Sequence, residues 1–186
     1  METIRLMTWV DAPVERCFKL SLSVDLHVVS ARSTGERVVA GVSTGLIGLN
    51  QTVTWSGRHF GRELLHTSLI DAWRPFTYFH DVMVEGMFEH FEHEHHFAAM
   101  DDGTRMRDEV RFSAPMGPLG VVAEKLFLRR HLVHLLKLRN TAIKDVAESE
   151  MWHEYLDHVP EFESGTLEAD ATEQRVKTLV ASPHSL

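Results

Sequence analysis

Between Asn50 and Pro115 the chain reads as five consecutive strands, and one helical pattern, from about Leu119 to Glu148, follows them. The strands are Gln51–Phe60, Glu63–Trp73, Phe76–Val84, Phe88–Ala99 and Thr104–Ser113, separated by short turns at Arg74-Pro75, Glu85-Gly86 and Asp101-Asp102. Closely spaced strands joined in this way form an antiparallel meander. The helical pattern carries its apolar residues at Leu119, Val122, Leu126, Val133, Leu136, Ile143 and Ala147. A helix of ~30 residues spans about 45 Å, enough to cross a whole sheet. One long helix after a meander predicts a helix gripped by a curved sheet.

Upstream, Thr3–Val10 reads as a first strand, with Ile4, Leu6 and Thr8 on one face. A helix is expected over Pro13–Leu22, with Asp11 as N-cap and Val14, Cys17, Phe18 and Leu20 or Ser21 buried. A second short helix is expected near Asp25–Ser30. The segment Thr34–Leu49 is dotted with Gly35, Gly41, Gly45 and Gly48 but lacks the Gly-Lys-Ser/Thr ending of a phosphate loop. It is expected to be a mobile loop at the mouth of a cavity.

Composition sets outer bounds. The 186 residues, 44% hydrophobic and 25% charged, suit one domain with a sizeable core. No apolar run approaches the roughly 18 residues of a membrane span, so no integral membrane segment is expected. The N-terminus lacks a signal-peptide pattern, which makes a cytoplasmic location the expectation. Cys17 is the single cysteine and forms no internal disulfide. Ten acids and no Lys or Arg fall between Asp145 and Glu173, which leaves +2 on the remainder of a chain whose net charge is −8. Such a segment argues against nucleic-acid binding. The expected division is a ligand-binding domain over 1–150 and a weakly ordered acidic extension over 151–186.

Of the thirteen histidines, four lie in His90-Phe91-Glu92-His93-Glu94-His95-His96. Alternate strand residues share a face, so Phe91, His93, His95 and Phe97 point together, and the aromatic face points inward. A two-residue turn at Asp101-Asp102 sets Phe97 opposite Met106, His95 opposite Asp108, His93 opposite Val110 and Phe91 opposite Phe112. The inward face of this hairpin is then apolar except for His93, His95 and Asp108. In the preceding hairpin a three-residue turn at Glu85-Gly86-Met87 places Asp81 opposite Phe91 and Phe79 opposite His93 and turns Asp81 inward; a two-residue turn would instead turn His80 inward, and the first is preferred because it internalises Phe79 and Met83. This cluster supports three readings: a buried, mutually satisfied network, polar groups that orient a ligand head in a cavity, or a metal site built on His-x-His with Asp. The metal reading ranks last, because no second ligand pair is recognisable.

Outward, His90, Glu92, Glu94 and His96 face Arg105, Arg107, Glu109 and Arg111 as a solvated sheet face with weak ion pairs. Arg129, Arg130, His131, His134, Lys137 and Arg139 are expected on the exposed side of the long helix. Cys17 has no evident histidine partner for nucleophilic catalysis. His95 with Asp108 is the one attractive acid–base pair.

Several short motifs occur in a specific order: Val53-Thr54-Trp55, Arg58-His59-Phe60-Gly61, Pro75-Phe76, Phe79-His80-Asp81-Val82-Met83, Gly86-Met87-Phe88, Phe91-Glu92-His93-Glu94-His95, Gly103-Thr104-Arg105-Met106-Arg107-Asp108, Pro115-Met116-Gly117-Pro118-Leu119-Gly120 and Arg139-Asn140. From about Thr3 to Glu148 the chain resembles a bacterial subgroup of the START-like (SRPBCC) superfamily, often labelled polyketide cyclase/dehydrase. The resemblance implies an α+β helix-grip fold: a curved antiparallel sheet wrapped around a long C-terminal helix, two short helices after the first strand, and an internal hydrophobic cavity. It implies binding or transport of a lipid, quinone or polyketide-like ligand. Trp55, Phe79, Asp81, Met83, Phe91, His93, His95, Phe97, Met106, Asp108 and Phe112 are the expected lining. The alternatives are a cyclase or dehydratase with His95 as base oriented by Asp108, and a regulatory module using the acidic tail. A homodimer is left open as a partner, and no metal or cofactor is assigned.

Overall fold

A computed structural model describes residues 1–115 and 127–158. Strand β1 (Glu2–Val10) leads into helices α1 (Val14–Leu22) and α2 (Val24–Ser30), then strands β2 (Arg37–Gly41), β3 (Thr52–His59), β4 (Arg62–Arg74), β5 (Tyr78–Glu85), β6 (His90–Met100) and β7 (Gly103–Ser113). Helices α3 (Arg129–Ala147) and α4 (Trp152–Leu156) follow. The strands form one seven-stranded antiparallel sheet in the order β1-β7-β6-β5-β4-β3-β2, so β1 closes the meander by pairing with its last strand. Register breaks at Thr67/Ser68 and Ile70/Ala72 in β4, and at Val38/Ala40 in β2, bend the far half of the sheet.

The β6–β7 hairpin has the predicted register, with Met100 opposite Gly103, His95 opposite Asp108 and Phe91 opposite Phe112. The β5–β6 hairpin differs. Phe79 lies opposite His95 and Asp81 opposite His93, two residues from the expected pairing. The shift preserves the inward faces, because the side-chain period is two. Its cause is the longer connection between Glu85 and His90. Phe88 packs on Phe91 and Phe112, at ring-centroid distances of 5.2 and 5.8 Å, instead of pairing as strand.

Two other expectations are corrected. Helix α1 starts after Pro13, which is its N-cap and has no side-chain cap bond; the Asp11 backbone N–H instead donates to Glu148 Oε1 at 2.7 Å. The glycine-dotted segment contains β2, which pairs with β3. Its remainder is tied to α2: the Gly45 N–H donates to Asp25 Oδ2 at 2.7 Å, the Val24 N–H donates to the Gly45 carbonyl at 2.9 Å, and Ile47 is buried.

Helix α3 runs unbroken from Arg129 to Ala147 and buries Leu136, Asn140, Ile143, Val146 and Ala147. Leu119, Val122 and Leu126 lie outside the described residues. The helix is fastened to β1 and α1 by side chains. Asn140 donates to Thr8 Oγ1 at 3.1 Å, Lys144 Nζ to the Trp9 carbonyl at 2.8 Å, and Arg16 to the Ala147 carbonyl at 2.8 Å. The larger core gathers aromatic rings around Phe18, whose edge meets Phe76, Phe79 and Phe97 at 5.3–5.7 Å. A second cluster holds Ile4, Val110, Phe112, Leu128 and Leu136. Helix α4 joins the larger core through Trp152, Tyr155 and Leu156, with the Arg16 guanidinium 4.3 Å above the Trp152 ring. Among the described residues no helix is long and apolar enough to cross a membrane.

Candidate functional site

A cavity of about 210 Å³ lies between α3, the α1–α2 pair and the inward face of β3–β7. Residues of both core clusters border it, Trp55 and Phe79 from the larger and Leu128 from the second. Its walls are mainly apolar, with Val53, Ile70, Phe88, Val110, Leu132 and Leu136 among them. Five residues of the expected lining border it: Trp55, Phe79, Asp81, Phe91 and His93. Six do not. Phe97 and Met106 are packed in the larger core and Phe112 in the second. Met83 is half-buried on β5 opposite Ser68. His95 and Asp108 sit behind His93, each about 3% exposed.

Asp81, His93, His95 and Asp108 form one cluster. His95 Nδ1 lies 3.2 Å from Asp108 Oδ1, across the predicted pair of strands. The diagonal contacts are closer: His93 Nε2 to Asp108 Oδ1 at 3.0 Å and His95 Nε2 to Asp81 Oδ2 at 3.1 Å. The imidazoles lie 3.6 Å apart, and Phe79 stacks on His95 at 4.0 Å. Asn140 Nδ2 donates to the second Asp108 oxygen at 2.6 Å and so ties α3 to the cluster. Burial would push the Asp81 carboxyl up, but the His95 hydrogen bond and the charges of His93, His95 and Arg139 outweigh it and hold it well below the usual carboxylate range. Asp108 is likewise held low against its burial by bonds from His93 and His95. Burial and the charge of His95 lower the His93 pKa, against the opposing Asp108 bond.

A second polar wall was not legible in the sequence. Glu36, just before β2, accepts from His27 Nε2 at 2.9 Å and from Thr34 at 3.0 Å, with His59 Nε2 at 3.5 Å. His59 Nδ1 meets His131 Nε2 at 3.0 Å. Arg139 stands between the two walls. It donates to the Ser21 carbonyl at 2.6 Å and approaches His27 Nδ1 at 3.1 Å. No carboxylate among the described residues lies within ion-pair distance of it. Arg139 and His131 thus line the cavity, correcting the expectation that they face solvent. Arg139 and Asn140 fall three and four residues after Leu136, on its own stripe of the helix; two polar residues in that stripe were the available signal.

His27 and His66 retain some accessible surface, but it faces the cavity. Burial lowers both pKa values; for His27 the Arg139 charge adds to this and the Glu36 bond opposes it. A histidine whose folded pKa is depressed contributes stability that is present above its unfolded pKa, about 6.5, and lost as pH falls through the folded value. Stability is therefore expected to decline below about pH 6.5, by up to about 1.4 kcal/mol for each pH unit that a pKa is displaced. Urea midpoints measured from pH 8 to pH 5 check this, and His27→Gln is expected to flatten the profile. A profile flat over that range would refute the burial assignment.

No family model matches the chain, and no curated protein matches it. Solved structures do. The aromatase/cyclase Zhui from Streptomyces sp. R1128 superposes with TM-score 0.64 at 13% identity, covering 86% of this chain and 99% of that one. Protein TTHA0849 from Thermus thermophilus gives 0.62 at 17% identity, covering 78% and 99%. The chain has the START-like helix-grip fold. Another structure with this START-like fold, the major latex-like protein 151 from Panax ginseng, superposes with TM-score 0.59 at 12% identity, covering 80% of this chain and 98% of that one. In this fold the space between helix and sheet is the cavity described above.

Proposed function

We propose that the protein binds or carries a small hydrophobic ligand in this cavity, with the ligand's polar end held by Arg139. The observation that carries the reading is an apolar cavity into which one guanidinium is turned without a carboxylate partner among the described residues. A guanidinium has five N–H donors, and two contacts leave donors for an anionic or carbonyl oxygen. Ligand pockets combine apolar walls with a few convergent polar groups in this way. At about 210 Å³ the cavity is smaller than the usual ~300–1,000 Å³, which favours a compact ring compound, of quinone or polyketide type, over a long-chain lipid. Chemistry with His95 as base is not part of this reading. His95 is not in the cavity wall, and both its ring nitrogens face carboxylate oxygens.

Native mass spectrometry of freshly purified protein is expected to reveal a retained small molecule. Arg139→Met is expected to weaken binding of an aromatic carboxylic acid by about 10- to 100-fold, the loss of a hydrogen bond to a charged group, while a neutral aromatic of the same shape binds unchanged. Equal affinities of the acid for both proteins would remove Arg139 from the site. The absence of any ligand that saturates the cavity would end the binding reading.

A further inference from the structure

The cluster of Asp81, His93 and His95 has an arrangement that ligand binding alone does not require. Asp81 Oδ2 lies 3.1 Å from His95 Nε2 and 3.9 Å from His93 Nδ1. One donor atom from each of the three residues falls within 4.8 Å of the other two. The opposite ring nitrogens, His93 Nε2 and His95 Nδ1, both face Asp108 Oδ1, at 3.0 and 3.2 Å. All four ring nitrogens are thus directed at carboxylate oxygens.

A neutral imidazole has one N–H and one lone pair. A ring with a single N–H aims its other nitrogen's lone pair at a carboxylate oxygen, a conflict that either a second proton or a bound cation relieves. A cation between the inner nitrogens and Asp81 removes the conflict. The inner lone pairs and Asp81 bind the ion, and both outer N–H groups donate to Asp108. Imidazoles that ligate metals are oriented by this outer contact to a carboxylate. Asp108 is itself fixed by Asn140 at 2.6 Å.

We propose that Asp81, His93 and His95 form a site for a divalent first-row transition-metal ion, with Asp108 as the positioning residue that sets both imidazoles. Two neutral nitrogens and one carboxylate oxygen suit zinc, iron(II) or cobalt(II) and not calcium or magnesium. Ligand atoms about 2.0–2.2 Å from a tetrahedral ion lie roughly 3.3 Å from one another. The 3.1 Å separation is near this already, and His93 Nδ1 at 3.9 Å closes by less than an ångström. Three protein ligands leave a fourth position open. Asp81 and His93 border the cavity, so that position faces it and takes water or the anionic oxygen of a bound enolate, phenolate or carboxylate. The metal site is independent of the Arg139 reading, because it is tested with metal ions alone.

The test uses the full chain, stripped with chelator and titrated with Co²⁺ and then Zn²⁺. One equivalent of Co²⁺ is expected to bind with visible d–d absorption, and Zn²⁺ to displace it stoichiometrically. Asp81→Asn is expected to abolish this binding. Asp108→Asn is expected to weaken it by about 10- to 100-fold through the lost outer contact. His153→Ala, at an exposed position of α4, leaves it unchanged. Because the buried variants are at risk of misfolding, X-ray absorption on the zinc-loaded wild-type chain provides an independent measurement. It is expected to show two imidazoles and one or two light oxygen scatterers. Failure of the folded wild-type chain to bind one equivalent overturns the proposal. So does binding undiminished in a folded Asp81→Asn protein, or a zinc shell without two imidazoles.

Discussion

Asp108→Ala is expected to lower the unfolding free energy by about 3–5 kcal/mol, the loss typical of removing one partner from a buried charged pair. Asp108 is 3% exposed and serves three neighbours at once: His93, His95 and Asn140. Removing it leaves two imidazoles 3.6 Å apart with Asp81 as the only remaining carboxylate in the cluster. It also breaks one of the two bonds by which Asn140 fastens the middle of α3 to the sheet. For a chain of this size each kcal/mol moves the melting temperature by about 2–4 °C, so a fall of roughly 10 °C is expected by calorimetry. Arg111→Ala gives the scale for comparison. Arg111 pairs with Glu92, Glu94 and Glu109 at 2.8–3.2 Å on the outer face, with its side chain 31% exposed. Exposed pairs of this kind contribute about 0–1 kcal/mol each. A loss below about 1 kcal/mol for Asp108→Ala would show that the imidazoles find other partners, and the cluster would then not be a structural centre.

The second large effect is expected from filling the cavity. Leu132 is half-buried on α3 and borders the empty volume. Leu132→Trp places an indole in space of about 210 Å³. Enlarging a side chain in a packed core destabilises, whereas filling a void commonly adds about 0.5–2 kcal/mol. The variant is therefore expected to melt at the same temperature or higher, yet to lose at least about tenfold in affinity for an anilinonaphthalene sulfonate dye, equivalent to ~1.4 kcal/mol. Stability and binding then move in opposite directions, which a general folding defect does not produce. Dye affinity equal to that of the wild type would place hydrophobic binding elsewhere on the molecule.

The parts of the fold that were legible in the sequence are those set by local chemistry. The Asp101-Asp102 turn and two matching alternation patterns were enough for the β6–β7 register, and with it the His95–Asp108 contact. The β5–β6 register was not legible, because the length of that connection depends on where Phe88 packs, and its partners Phe91 and Phe112 lie beyond the turn. Arg139 and His131 belong to a run of basic residues on a helix, a pattern that resembles a solvated face. Its inward part becomes recognisable only from the position of Asn140 on the Leu136–Ile143 stripe. The Glu36 wall joins side chains from α2, the approach to β2, β3 and α3. No spacing rule connects four segments so far apart, and only the folded sheet brings them together.

The stack of His27 on Trp55, with centroids 4.0 Å apart and planes inclined by 22°, gives the cavity an optical signal of its own. Both rings border the empty volume. An imidazolium in face contact with an indole is an efficient quencher of its emission, so Trp55 fluorescence reads the charge of His27 directly. The other indoles, Trp9, Trp73 and Trp152, lie outside the cavity wall. In a chain where these three are replaced by phenylalanine, a single emission band reports cavity occupancy and the protonation of its wall in the same titration, without an added label.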